Sequence, residues 1–388
     1  MNKLNNQPRA EALHIGGLFA ANECADSASS TLDKLRLFVA EQLESLGRLD
    51  RPRVMANFLG SLRGRTDWSG STLKRCIKAA KYAVRALGMP LRHGRFLGFV
   101  YRNPPMCEYR QRDPRVLERH FHRYINVHWN RRARLLSIQR HYRFTLTRLP
   151  PALFKAIYVD GNATLGTLTL KDGSPLRICL RPPILMGSEG ELNIELRAAD
   201  DQLLYRASMS VIDYWPTVAI GCIQGPAGEQ AKDVVRNLTR NLYGMRPKQL
   251  LLSLVYAFAR QYGIKRVWAV SNAAHPLRAV RSRFQADYDG FWQEQGGRRV
   301  GNGWFILPQE PSRKSEADVA SNHRSAFRRR EALRLGAEQL LADALGAFPA
   351  WTARTAPKQA LELDHSDLSH SDQTQPYQSD RRIALWTS

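Results

Sequence analysis

Asn272 and His275 follow an apolar run directly and precede Pro276, which opens a helical pattern. At that position the imidazole could move a proton and the amide could orient a substrate, or the histidine could be structural. Gln224-Gly225-Pro226-Ala227-Gly228 stands after a second apolar run, where glycines let a ligand approach the backbone. It lacks the Gly-Lys-Ser/Thr ending of a P-loop and the spacing of a dinucleotide fingerprint. Gly244-Met245-Arg246-Pro247-Lys248 places two cations where backbone N–H groups at a helix start already favour an anion. A phosphate or diphosphate would fit Arg246 and Lys248, and an ordinary interhelical turn would read the same way.

Other polar groups are less pointed. Asp287, Asp289 and Glu294 surround Tyr288 and Trp292, and in so basic a chain they read first as ion-pair partners. Tyr288 joins Asn272 and His275 as a candidate to orient an acceptor. His120 and His122 diverge by about 200° on a helix, which argues against a shared metal. Glu189-Gly190-Glu191 reads as a charged turn rather than a catalytic pair. No Gly-x-Ser-x-Gly elbow or Cys/His nucleophile signature is present.

These residues need elements to position them. Thr217–Ile223 and Arg266–Ser271 are apolar runs separated by two helical patterns, which makes a crossover between parallel strands. The first helical pattern carries Val234, Val235, Leu238 and Leu242. The second opens at Pro247 and buries Leu250, Leu251, Leu254, Val255 and Phe258. Ligands settle beyond the carboxyl ends of such strands, which is where Gln224–Gly225 and Ser271–His275 fall. Upstream, Thr164–Leu170 with Pro175–Arg181 and Gly190–Arg197 with Gln202–Asp213 alternate with period two about turn signals. Downstream come a helix from Pro276 to about Phe284, a polar–aromatic loop at Asp287–Trp292 and a short strand, Trp304–Leu307. Two helical patterns follow, Arg324–Gly336 and Ala337–Phe348, the last ended by Pro349.

The fold class is therefore α+β or α/β. N-terminal helices precede a mixed sheet, an antiparallel meander plus one parallel crossover, flanked by helices. Four regions follow: a flexible segment 1–30, a basic helical region 31–150, a mixed α/β domain 151–350 and a disordered tail 351–388. Three stripes mark the helical region: Leu32–Leu46, then Leu73, Ile77, Ala80 and Val84, then Leu117, Phe121, Tyr124, Ile125 and His128. Each reads as the inner face of an amphipathic helix with a basic back.

The 388 residues carry a formal charge of +23. Residues 31–150 hold 26 Lys/Arg against 8 Asp/Glu, so 26 − 8 = +18 lies there. Such asymmetry attracts an anionic ligand, an acidic partner, a membrane surface or nucleic acid, although an Arg-rich composition would also produce it. Five scattered cysteines without CxxC spacing speak against a disulfide framework or zinc ribbon. With no long apolar run, the chain is expected to be cytoplasmic, with peripheral contact to the inner membrane left open.

Several ordered segments resemble the VirK/YbjX family of bacterial proteins. They are His141-Tyr142, Glu189-Gly190-Glu191-Leu192, Ile220-Gly221-Cys222-Ile223-Gln224-Gly225, Gly244-Met245-Arg246-Pro247-Lys248 and Val270-Ser271-Asn272 with His275. Asp287-Tyr288-Asp289-Gly290-Phe291-Trp292 through Gly296-Gly297, then Leu307-Pro308, extend the match to roughly residues 50–345. Gln295, where an apolar residue is expected, and the C-terminal tail depart from it. The resemblance implies a role in virulence, intracellular spread and resistance to antimicrobial peptides, and supplies no agreed catalytic residues.

The order of elements also resembles the acyl-CoA N-acyltransferase (GNAT) fold. That layout implies acyl-CoA as cofactor, its diphosphate on the helix start after the fourth strand of that fold, to which Gly244–Lys248 is similar in placement. An extra helix would have to be inserted, and the glycine-rich loop of that fold is not matched. Fold alone does not fix function. Three readings stand: an acyltransferase-like enzyme holding acyl-CoA at Gln224, Gly225, Arg246 and Lys248, a non-catalytic regulatory protein binding a partner or acidic surface through its basic helices, or nucleic-acid binding.

Overall fold

The computed structural model describes residues 51–346, apart from 185, 214–215, 227, 229, 279–286, 312 and 314. The segment 1–30, the Leu32–Leu46 stripe, the later part of the helix expected from Pro276, the stop at Pro349 and the tail 351–388 lie outside the described residues.

Proline opens helix after helix at the first turn, where its missing N–H costs nothing. After α1 (Arg51–Ser61) and α2 (Thr72–Leu87), this holds for α3 (Pro90–Arg102), α4 (Pro104–Arg112), α6 (Pro151–Phe154) and α8 (Pro247–Gln261). Helix α5 (Arg131–Arg148) instead starts on Asn130, whose side chain accepts from Ala133 N at 2.9 Å.

The strands follow the expected segments closely, β1 (Ala163–Thr169), β2 (Pro175–Arg181), β3 (Leu192–Arg197) and β4 (Leu203–Ile212) the alternating ones and β5 (Thr217–Gln224) the first apolar run. Two crossover helices, α7 (Ala231–Asn241) and α8, lead to β6 (Arg266–Val270). Helix α9 (Tyr288–Glu294), β7 (Arg298–Val300), β8 (Trp304–Ile306) and α10 (Arg324–Leu345) complete the described chain. One mixed sheet results, ordered β1-β2-β3-β4-β5-β6-β8-β7, antiparallel except for β5–β6. Helix α8 packs between this sheet and α10, so residues from Leu250 to Ala259 are buried all round. The main apolar core runs from Phe96 to Leu345 and takes in N-terminal helices as well as the sheet.

Four expectations are corrected. The stripe Leu117–His128 is not a helix but two 3₁₀ turns (Pro114–Leu117 and Arg119–Phe121) followed by irregular backbone. Arg119 and His120 inside it are fully buried while His128 of the expected inner stripe is exposed, so polar and apolar residues do not sort onto two helical faces. Its amides pair elsewhere: Ile125 N donates to Ser188 O at 2.7 Å and Val127 N to Ala274 O at 2.9 Å. The Asp287–Trp292 stretch is not a loop, because Asp287 caps α9 by accepting from Gly290 N at 2.9 Å. The two C-terminal patterns form one helix, since Leu333, Ala337, Leu341 and Leu345 carry a buried stripe straight past Gly336. Finally, the stripe of α2 faces outward. Tyr82 and Ala86 dock that helix instead, with Trp68 and Phe121 in a small separate cluster.

Candidate functional site

Strand β5 pairs with β6 only from Thr217 to Ile220, opposite Arg266 to Ala269. The next residue, Gly221, is a bulge: on the β4 side the register jumps from Ser208–Cys222 to Met209–Ile220. A Cβ at Gly221 would lie 1.9 Å from Glu189 O, so the absent side chain lets the loop before β3 cross the strand at this point. That loop turns at Gly190, whose φ of +146° suits glycine. It delivers Glu189 to the space where β5 runs on beyond the end of its ladder with β6.

The Glu189 carboxylate is held on both oxygens. Gln224 Nε2 donates to Oε1 at 3.1 Å, and an Arg206 guanidinium nitrogen donates to Oε2 at 3.2 Å and to Gln224 Oε1 at 2.9 Å. Arg206 and Gln224 are register partners on β4 and β5, which fixes their spacing. His275 Nε2 lies 3.4 Å from Glu189 Oε1. Its Nδ1 accepts from Leu277 N at 3.3 Å, which leaves the proton of the neutral ring on Nε2, facing the carboxylate. Burial pushes the Glu189 pKa up, but the His275 hydrogen bond and the Arg206 charge outweigh it and hold the carboxyl below its usual value.

Tyr288 and Cys222 close the group. The Tyr288 ring lies 5.4 Å from that of His275 and stacks on Trp292 at 6.0 Å. Burial, then the nearby Cys222 and Glu189, hold the Tyr288 phenol well above the ordinary tyrosine value. Burial, then Glu189, push the Cys222 thiol up to about 12. Both groups are therefore protonated at neutral pH. Trp292 Nε1 donates to Val270 O at 2.9 Å and ties α9 to the end of β6. The irregular segment after Phe121 joins the two loops, Ile125 to Ser188 beside Glu189 and Val127 to Ala274 beside His275.

The other candidates are placed around α9. Asn272 fastens its start: Oδ1 accepts from Tyr288 N at 2.9 Å, Nδ2 donates to Asp287 Oδ1 at 3.2 Å, and its backbone N donates to Asp289 Oδ1 at 2.6 Å. Asp287 and Asp289 thus serve the helix start, and Glu294 forms the ion pair, with Arg246. Arg246 and Lys248 sit 6.0 and 5.4 Å over the Phe291 ring. Lys248 is half-buried, and burial, then the Arg246 charge, lower its pKa. The space a side chain at Gly225 would occupy is filled by the Tyr205 ring, 2.4 Å from an ideal Cβ. So α9 takes part in two groups, through Tyr288 beside His275 and through Phe291 beneath Arg246 and Lys248. Among the described residues, no three His, Cys, Asp or Glu side chains come together as a metal-ligand set.

Sequence reasoning missed Glu189, Arg206 and Cys222, and it read Glu189-Gly190-Glu191 as a charged turn. Both carboxylates are in fact buried, in different networks. Glu191 accepts from Arg119 at 2.5 Å and from the Tyr142 hydroxyl, while Arg119 also binds Asp113 at 2.5 Å. Two glutamates flanking a glycine ahead of a strand were the available signal.

The architecture and site define an α+β protein with a carboxylate–imidazole contact at the end of the parallel β5–β6 pair. The family model described as "Protein of unknown function (DUF535)" matches residues 71–340, and the chain belongs to that family. It is similar to an uncharacterized protein, YbjX, of Escherichia coli (strain K12), 27% identical over 257 residues, covering 64% of this chain and 78% of that one. An uncharacterized protein of Haemophilus influenzae is 29% identical over 199 residues, 51% of this chain and 66% of that one. Membrane protein LapB of Mannheimia haemolytica is 26% identical over 190 residues, 48% of this chain and 79% of that one. No solved structure matches.

Proposed function

We propose that this chain is an acyltransferase-like protein of the bacterial envelope-stress and virulence repertoire, binding an acyl-CoA beyond the end of β5. The observation that carries the reading is the Glu189–His275–Tyr288 group at the point where the β5–β6 ladder stops. Open α/β sheets bind ligands at such a point. The order of meander, crossover, parallel strand, helix and strand supports it as well, although two helices fill the crossover. The name of the Mannheimia relative, a membrane protein, favours an envelope setting.

In this reading Arg246 and Lys248 hold the diphosphate and Gln224–Gly225 border the thioester arm. Asn272 keeps Tyr288 and the start of α9 in place. As the acyl carbon–sulfur bond breaks, the acceptor's nitrogen or oxygen takes the acyl group and its proton passes to sulfur. Tyr288 is the protonated group able to serve the sulfur, and His275, once Leu277 N releases Nδ1, the one able to take the acceptor's proton.

Calorimetric titration of the full chain with acetyl-CoA and a long-chain acyl-CoA, at near-physiological salt, tests it. Saturable binding that disappears in Arg246→Ala/Lys248→Ala is the expected result. Absence of binding to either thioester, or binding unchanged in that variant, would sink the placement.

A further inference from the structure

Helix α2 turns its apolar stripe to the outside. Leu73 and Val84 are 70% exposed, Leu87 70% and Ile77 45%, with Ala80 exposed between them. At about 100° per residue these five side chains share one face, and Tyr82 and Ala86, the only buried ones, point to roughly the opposite side. The stripe is about 21 Å long at ~1.5 Å per residue. Among the described residues eight large apolar side chains are strongly exposed, and six of them lie on α1 and α2, Met55 and Leu59 being the others there. Apolar exposure is thus concentrated on one corner of the molecule, which marks an interaction site.

Charge names the occupant. Lys74, Arg75, Lys78, Lys81 and Arg85 are on the same helix, which has no acidic residue. None of the five makes an ion pair among the described residues. Lys78 reaches Ser69 O at 3.0 Å and Arg85 reaches His122 at 3.3 Å, while Lys74 and Lys81 stay exposed beside the stripe. An exposed apolar ridge one helix wide with lysines along one flank is the form that beds into a lipid surface. A protein partner would have to bring a groove to fit it. The basic border asks for negative headgroups.

We propose that α2 docks the protein on an anionic membrane surface, with Leu73, Ile77, Ala80, Val84 and Leu87 entering the interface and Lys74 and Lys81 meeting the headgroups. This is independent of the acyl-CoA reading, because it uses no residue of that site.

The test is flotation of the full chain with vesicles of phosphatidylcholine alone or containing roughly one quarter phosphatidylglycerol. Binding at least tenfold stronger to the anionic vesicles is expected, falling as salt rises. Ile77→Asp/Val84→Asp should abolish it with the thermal melt unchanged, since both side chains are exposed. Lys74→Glu/Lys81→Glu should weaken binding and flatten its salt dependence. A wild-type chain that does not float with the anionic vesicles, or an aspartate variant that floats equally well, overturns the proposal. So does a dimer on gel filtration that the aspartate pair dissolves while no vesicle binds, which would assign the face to a second copy.

Discussion

His275 Nε2 lies 3.4 Å from Glu189 Oε1, although one residue precedes β3 and the other follows β6. The contact has a pH signature. A carboxyl whose folded pKa is depressed contributes stability in full above its unfolded value and loses it as pH falls through the folded one. Glu189 is shifted down from 4.5, so its contribution should fade below about pH 4.5. Glu189→Gln should cost about 3 kcal/mol at neutral pH, and the gap to wild type should narrow in acid. Denaturant melts at stepped pH check this, and a gap that stays constant down to pH 3 would refute it.

Arg119 and Glu191 are fully buried and face each other at 2.5 Å. Arg119→Met leaves the buried Glu191 without a cation, while Asp113 keeps Arg115 at 2.6 Å, and should cost about 3–5 kcal/mol. Adding Glu191→Gln should restore part of that, so the double-mutant cycle should be non-additive by about 1 kcal/mol or more. Additive losses would mean that the two side chains act separately.

Gly221 has no room for a methyl group. Gly221→Ala would put carbon 1.9 Å from Glu189 O and should cost about 3 kcal/mol or more. Gly301→Ala meets nothing within 4 Å and should stay within about 0.5 kcal/mol. Thermal melts of the pair decide whether the crossing at the bulge is as tight as described. Equal melting temperatures would count against it.

Glu294 competes for Arg246. If a diphosphate is to use Arg246, the carboxylate must release it, so Glu294→Gln should tighten acyl-CoA binding by about fivefold while stability moves by less than about 1 kcal/mol. Weaker or unchanged binding would argue that Arg246 belongs to α9 rather than to a ligand.

The meander strands were legible from two-residue alternation about turn signals, and Thr217–Gln224 and Arg266–Val270 from continuous apolar runs set apart by a crossover-sized gap. The direction of the α2 stripe was not. Periodicity says that five apolar side chains share a face, but Tyr82, outside the stripe, decides which face is inside through contacts to Ser61 and His93 at 2.8 Å. The segment after Pro114 failed for a related reason, since apolar residues at helical spacing say nothing of a buried Arg119 between them. For the site, Gln224, His275 and Tyr288 stood out from strand ends and local pattern. Glu189 did not, because Arg206, Gln224 and His275 reach it from three separate places in the chain.

The parallel ladder between β5 and β6 joins two antiparallel leaves of unequal size. One holds β1 to β5, the other β6, β8 and β7, and the seam between them is four residue pairs long. Past the seam, the two leaves are fastened by side chains: Glu189, Arg206 and Gln224 belong to the larger leaf, His275 and Tyr288 to the smaller. The strap from Ile125 to Val127 crosses the same gap through backbone hydrogen bonds. A molecule that draws Glu189 away from His275 would therefore undo a side-chain fastening between the two leaves, which the strap, the four rungs and the packing of α8 would still hold together.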